Sequence, residues 1–262
     1  MPERKAPATA KLRILVTNDD GIHAPGLKAL ERVAKSLSDD VWTVAPEVEQ
    51  SATSHSLTTR RPLRLRNFGR RRYSVDGTPT DCVLVAVNKV LSDRRPDLVL
   101  SGFNHGGNLG EDVTYSGTVA AAMEGATLGI HSVALSQVRA EGKPASFKPG
   151  EAHAAMVIRK LLEMDWPSDL LMNVNFPIAK DPKQIREVRV VRQGRRDNKV
   201  GLVEGRDPGG RPYVWIGDFP DDVTKEKKTD LAAIADGAIA VTPLHLDLTN
   251  HAQLRRMAKV FP

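Results

Sequence analysis

Asp19 and Asp20 are adjacent, end an apolar run that begins at Leu12, and are followed at once by Gly21. Neighbouring carboxylates repel each other and lose hydration where a fold covers them, so keeping both requires a compensating cation. A divalent metal held by oxygen ligands meets that need. The alternative is a simple turn, with Asp19 and Asp20 as turn formers and Gly21 at positive φ. Two other stretches carry related groups. The loop from Pro46 to Thr59 is rich in serine and threonine and includes Ser51; taken alone it reads as a surface loop. Residues 102–110 combine four glycines with Asn104, His105 and Asn108. Together these stretches supply hard oxygen ligands of the kind Mg²⁺, Mn²⁺ and Ca²⁺ prefer. Ser116-Gly117-Thr118 opens a run of small residues, where free N–H groups and the positive end of a helix dipole make a phosphate cradle. Metal plus phosphate cradle implies phosphoryl chemistry, in which the metal makes a nucleophile from water and neutralises developing charge. No Walker A loop and no Gly-x-Gly-x-x-Gly dinucleotide fingerprint is present.

Chemistry of this kind needs elements that bring three loops to one place. Leu12–Thr17 is short, nearly all apolar and closed by turn residues, which predicts a buried parallel strand. Leu27, Leu30, Val33, Ala34 and Leu37 recur at helical spacing behind Pro25, and Val41–Ala45 is a second strand stopped by Pro46, giving a βαβ unit. Further strands are expected at Pro62–Arg66, Tyr73–Val75, Asp97–Ser101, Val133–Ser136, Leu170–Phe176 and Ala238–Pro243. Helices are expected from Pro79 behind a Thr78 cap, from Val119 to Leu128, from Glu151 to Met164, and from Thr229 to a Gly237 terminator. Residues 102–110 read as a loop, and Val188–Arg192 as the start of a separate β region. In an open α/β sheet the loops at the carboxyl ends of the strands form the ligand crevice. The expected organisation is a loosely held or disordered N-terminus over 1–11, a Rossmann-like catalytic core over 12–191, and an arm over 192–262 whose last helix and strand return to the core.

The 262 residues are 40% hydrophobic and 27% charged, the balance of a soluble globular protein. A single cysteine, Cys82, excludes an intrachain disulfide and a cysteine metal cage and suits a reducing compartment. Cys82 stands in the first turn of a helix, where a thiol pKa can fall, but no histidine adjoins it and packing as a small apolar residue is the better reading. No run approaches a membrane span and the N-terminus is not a secretory signal, so the expected location is cytoplasmic. The net charge of +6 favours anionic ligands. Seven arginines lie between Arg60 and Arg72, either a solvated edge or a docking patch for polyanion or nucleic acid. His245 alternates with Leu244 and Leu246 and reads as a structural rather than a catalytic histidine.

The motifs Val16-Thr17-Asn18-Asp19-Asp20-Gly21, Pro46–Ser51 with Ser56-Leu57-Thr58, Asp76–Val83, Ser101–Asn108, Tyr115-Ser116-Gly117-Thr118, Asn173–Pro177 and Thr242–His245 occur in this order over most of the chain. The pattern resembles the SurE family, survival-protein phosphatases described as metal-dependent 5'(3')-nucleotidases. The resemblance implies a Rossmann-like α/β domain, a mostly parallel sheet flanked by helices, with a C-terminal β-rich oligomerisation arm. It implies one divalent ion per subunit, Mg²⁺ or Mn²⁺ (with Ca²⁺ as a crystal substitute), held by Asp19, Asp20, Ser51 and Asn104. Substrate and phosphate contacts fall to Asn18, His105, Gly106, Asn108, Ser116, Gly117 and Thr118, and catalysis to Asp19 and Asp20. The sequence departs from the pattern at Ala52, where glycine is expected, and alanine restricts the backbone beside Ser51. The reading is a homodimeric or homotetrameric phosphomonoesterase of nucleoside monophosphates, with 3'-nucleotides and polyphosphate as further substrates. Attack is by a metal-bound water, and one aspartate orients it or takes its proton. His105 stands close enough to Asn104 to assist the leaving group. The alternative is a polyanion or nucleic-acid module built on Arg60–Arg72. A dinucleotide-dependent oxidoreductase is disfavoured for want of a fingerprint.

Overall fold

The computed structural model describes residues 12–140, 142–164, 166–167, 169–196, 201–217 and 226–261. The expectation for residues 1–11 and parts of the arm lie outside them. In chain order the elements are β1 (Arg13–Thr17), α1 (Pro25–Lys35), β2 (Asp40–Pro46), β3 (Leu65–Asn67), β4 (Arg72–Val75), α2 (Pro79–Val85), β5 (Leu98–His105) and α3 (Gly117–Thr127). Then come β6 (His131–Gln137), α4 (Lys148–Leu162), β7 (Leu170–Phe176), β8 (Val188–Val190), β9 (Leu202–Arg206), β10 (Pro212–Ile216), α5 (Asp230–Ala235), β11 (Ile239–His245) and α6 (His251–Met257).

Nine of the described strands form one sheet in the order β3-β4-β2-β1-β5-β6-β7-β11-β8. The six from β4 to β7 are parallel. β3 and β11 run antiparallel to β4 and β7. Alternation in β1 sends Ile14 and Val16 to one face and Leu15 to the other. On the first face they pack with Leu27 and Leu30 of α1 and Val157 and Ile158 of α4. On the second, Leu15 packs with Cys82 and Val83 of α2 and Ala121 of α3. Helices thus cover both faces, as a parallel sheet requires. β1 sits centrally, with β2 on one side and β5 on the other, so the order reverses at the β1/β5 pair. The crevice of an open sheet lies at the carboxyl ends of such a pair.

Two expectations are corrected. Residues 102–105 are not loop: β5 continues to His105, with a register shift against β6 between Gly102 and Asn104. Gly102 adopts φ +133, and a Cβ there would stand 2.1 Å from the Leu135 carbonyl oxygen. Glycine permits the bulge, after which pairing resumes and carries Asn104 to the crevice edge. Val188–Val190 does not begin a separate β region either: it is β8, the edge strand of the main sheet, paired with β11. The free edge of β11 needs backbone partners, and β8 supplies them.

Four of the seven arginines of the run pair with carboxylates of the fold. Arg61 pairs with Asp76 at 3.3 Å, Arg66 with Glu47 at 2.7 Å, Arg71 with Asp40 at 3.3 Å and Arg72 with Glu31 at 3.1 Å. Arg71 also lies over the Trp42 ring. These contacts tie the β3–β4 edge to β2 and α1. β9 and β10 form their own antiparallel ribbon and expose Leu202, Val203, Val214, Trp215 and Ile216. No described helix is long and apolar enough to cross a membrane.

Candidate active site

Asp19 stands two residues beyond β1 and is only 4% exposed. Its carboxylate faces the first turn of α3, where the Thr118 amide donates to Oδ2 at 3.1 Å and the Thr118 hydroxyl to Oδ1 at 2.5 Å. Gly117 makes this approach possible. A Cβ on it would stand 2.8 Å from Asp19 Cβ and 3.1 Å from Asp19 Oδ2. Ser116 caps the helix, its Oγ accepting from the Val119 amide at 3.0 Å. The expected phosphate cradle at 116–118 is therefore already turned inward. The Thr118 and Val119 amides hold a carboxylate and a cap, and the dipole's positive end serves Asp19.

Asp20 is half-buried and accepts at Oδ2 from the backbone N–H of His105, 3.2 Å away. That bond joins the end of β1 to the end of β5. The loop after β2 is drawn in by Gln50, whose amide donates to the Asp19 carbonyl at 2.8 Å, and by Ile22, whose amide donates to the Pro46 carbonyl at 2.8 Å. The three loops thus converge on the acidic pair.

The pair is electrostatically strained. Burial, and then the charge of Asp20, push Asp19 up to about 7. Burial pushes Asp20 up to about 6, and nearby Glu49 adds to it, while the His105 amide opposes the shift. Glu49 is a third carboxylate beside the site that sequence spacing did not single out; only its place in the second crevice loop pointed to it.

The remaining donors suit a hard cation in part. Asn104 donates its amide nitrogen to the Gly106 carbonyl at 3.0 Å, leaving its oxygen as the free acceptor. Asn18 spends its nitrogen on the Gly21 carbonyl, and its buried Oδ1 has no partner. Thr17 Oγ1, at the end of β1, and Ser101 Oγ, on its register partner within β5, are buried and unpartnered too. Ser51 is exposed, and its hydroxyl donates to Glu49 at 2.7 Å, not to Asp19 or Asp20. Ala52 adopts φ 58, the left-handed region glycine enters freely, at a cost of about 1 kcal/mol for alanine. Among the described residues no group of three His, Cys, Asp or Glu side chains could hold a metal. A cation here would rest on two carboxylates completed by neutral oxygens, a set fitting Mg²⁺ or Mn²⁺.

Other candidates make framework contacts. Asn108 is buried; its amide nitrogen donates to Ser136 Oγ at 2.7 Å and its backbone N–H to Asn175 at 2.8 Å. Its carbonyl accepts from Asn173 and Asn175. Sequence reading assigned these two asparagines no role, although polar residues two apart on a buried strand were the available signal. Gly106 adopts φ +140 beside Asn104. The His105 ring accepts from the Ala145 amide at 2.9 Å through Nε2, so it anchors the segment near 145. Cys82 is fully buried and desolvation pushes its thiol up, as expected of a packed residue. His245 pairs in register with Leu170, the first residue of β7, at the sheet edge opposite the crevice.

A doubly wound α/β sheet with a buried acidic pair at its switch point defines a Rossmann-like protein with an oxygen-donor centre. The same arrangement of motifs is found in known proteins. The chain belongs to the SurE family: the family described as "Survival protein SurE" matches residues 14–200. A 5'-nucleotidase SurE from Paramagnetospirillum magneticum is 53% identical over 254 residues, 96% of both chains. One from Methylorubrum populi is 51% identical over 253 residues, 95% of this chain and 99% of its own. The crystal structure of the SurE protein from Aquifex aeolicus matches with a TM-score of 0.82 at 40% identity, covering 95% of this chain and 99% of that one.

Proposed function

We propose that this protein is a metal-dependent phosphomonoesterase acting on nucleoside 5'-monophosphates. The observation that carries the reading is the buried Asp19–Asp20 pair at the β1/β5 switch point, whose carboxyls are pushed up to about 7 and about 6. A pair so placed is poorly matched to an empty pocket and well matched to a cation. The relatives named 5'-nucleotidase support the substrate class. Asp19, Asp20, Asn104 and, after rotation away from Glu49, Ser51 would hold the ion. When bound, it would lower the pKa of water and offset phosphate charge.

The chain's own residues then divide the work. Thr118 fixes Asp19 from two directions, so Asp19 holds and does not swing. Asp20 has one bond and more solvent, so it is the carboxylate placed to orient the attacking water and take its proton. The Ser116 hydroxyl accepts from Val119 and keeps its proton for a phosphate oxygen. With the His105 ring engaged at Ala145, leaving-group protonation is not assigned to it. The exposed β9–β10 ribbon and the apolar side chains Leu254, Met257, Val260 and Phe261 in and after α6 are the surfaces proposed for self-association. The pairing of Arg61, Arg66, Arg71 and Arg72 within the fold disfavours the polyanion module.

The test is phosphate release from 5'- and 3'-nucleotides, polyphosphate and an oligonucleotide, with EDTA and with Mn²⁺ or Mg²⁺ added back. Turnover of 5'-monophosphates that EDTA stops and metal restores is expected. Full turnover in excess EDTA, or tight oligonucleotide binding with negligible hydrolysis, contradicts the reading.

Stability carries a second signature. A carboxyl whose folded pKa lies above its unfolded value stabilises the fold below the unfolded value and loses that contribution as pH rises through the folded one. For Asp19 the window runs from about 4 to about 7, and a shift of that size is worth on the order of 4 kcal/mol. Metal-free protein is therefore expected to melt at lower temperature near pH 8 than near pH 5, and Mn²⁺ to raise Tm more near pH 8. An equal Mn²⁺ effect at both, by calorimetry, argues against the pair as the binding site.

A further inference from the structure

Between Asn108 and Ser116 the chain makes a short 3₁₀ turn, Gly110–Thr114. Residues from far along the sequence grip it. Asp230 is fully buried; its Oδ2 accepts from the Gly110 amide at 2.9 Å, and its Oδ1 from the Gly194 and Leu231 amides at 2.7 and 2.8 Å. Gln193 donates to the Gly110 carbonyl at 2.7 Å. Arg196 donates from its two terminal nitrogens to the two oxygens of Asp112 at 3.0 and 2.9 Å, and to the Leu109 carbonyl at 2.7 Å. This two-pronged pair is itself mostly buried, the geometry that makes an arginine–carboxylate contact strong and directional.

The grip leads to the acidic centre through consecutive bonds. The Asp112 carbonyl accepts from the Ser116 amide at 2.9 Å and the Tyr115 amide at 3.0 Å. Ser116 caps α3. Two residues on, Thr118 holds both oxygens of Asp19. Arg196 and Asp230 touch neither Asp19 nor Asp20 in any of these bonds, yet they fix the turn that fixes the first turn of α3. We propose that Arg196 and Asp230 are positioning residues that set the orientation of Asp19 through the 109–118 segment. The proposal rests on reading Asp19 and Asp20 as the reactive centre. Charged groups are expensive to bury, and two of them spent on one turn imply that its position matters more than its closure.

The experiment compares wild type with Arg196→Ala, Arg196→Lys and Asp230→Asn. Three readouts are used: steady-state kinetics on a 5'-monophosphate, calorimetric Mn²⁺ binding without substrate, and amide hydrogen exchange at Thr118 in the metal-free protein. Loss of a supporting contact behind a metal site costs about 10- to 100-fold. Arg196→Ala is expected to lose about that much in kcat and to bind Mn²⁺ about 10-fold more weakly, with KM within about twofold, and to exchange its Thr118 amide faster. Guanidinium ion, which refills the vacated site, is expected to restore kcat and Mn²⁺ affinity in Arg196→Ala and not in Asp230→Asn. Arg196→Lys keeps the charge but not the two-pronged grip and is expected to stay impaired. A folded Arg196→Ala or Arg196→Lys with wild-type kcat, Mn²⁺ affinity and Thr118 exchange overturns the proposal. Guanidinium that restores Tm but neither kcat nor Mn²⁺ affinity does so too. If wild type shows no metal-stimulated phosphatase activity, the functional reading fails instead, and Thr118 exchange alone decides the positioning role.

Discussion

Asp19→Asn is expected to lower kcat by about 100- to 1000-fold while the chain remains folded and its metal-free form becomes more stable. Shape is nearly conserved. The asparagine oxygen can take the Thr118 amide, and its nitrogen can donate to the Thr118 hydroxyl once that rotor turns. What disappears is a negative charge in a site that burial has driven up to about 7. In EDTA near pH 8 the wild type must keep that charge buried beside Asp20, and the variant does not, so Tm in EDTA rises as kcat falls. Stabilisation bought with activity is the usual mark of a functional group held against its preference. The two changes are read by steady-state assay with saturating Mn²⁺ and by thermal unfolding in EDTA. Retained turnover removes Asp19 from the centre; a fall in both quantities makes it a structural residue.

Gly117→Val is the second large effect. A valine Cβ would lie 2.8 Å from Asp19 Cβ, closer than side chains pack, and 3.1 Å from Pro79 Cγ, a tight contact that one of the two must relieve. The neighbours cannot yield cheaply, because Asp19 follows a central strand and Pro79 begins α2. Either α3 backs away and drops the Thr118 bonds, or Asp19 turns out of the site. Activity is expected to fall by about 100-fold or more, and Mn²⁺ affinity with it, by about 10-fold. The coupling is the informative part. A helix start serving only the substrate phosphate would lose kcat/KM and keep its metal. Calorimetric Mn²⁺ titration of the folded variant separates the two, and unchanged affinity contradicts the packing of Gly117 on Asp19.

The parts of this site that local rules govern were legible in the sequence. β1 ends at Thr17, where its apolar run Ile14–Val16 gives way to polar residues, and that placed Asp19 and Asp20 just beyond the carboxyl edge. Leu170–Phe176 is β7 with its expected bounds, and Thr78 and Thr229 cap their helices as their positions foretold. What escaped depends on partners distant in sequence. Gly102 reads as a loop former until the Leu135 carbonyl is found where its side chain would be. The start of α3 reads as an open anion cradle because the carboxylate filling it stands 99 positions away. The Asn173 and Asn175 grip on Asn108, and the Arg196 and Asp230 hold on 109–112, are likewise invisible to spacing.

On the proposed reading, two adjacent carboxylates holding one cation would make poor nucleophiles, since their lone pairs would be engaged, and Thr118 further pins Asp19. Attack by water, with no aspartyl-phosphate, is therefore the expected course. An enzyme that uses a carboxylate nucleophile instead splits the reaction into two steps through a covalent intermediate. Single-turnover hydrolysis of a phosphate-labelled 5'-monophosphate in ¹⁸O-water, stopped by rapid acid quench, tells them apart. Solvent oxygen in phosphate on the first turnover, with no label on protein, is the expected result. Labelled protein at Asp19 or Asp20, or ¹⁸O found in either carboxyl after turnover, would contradict it.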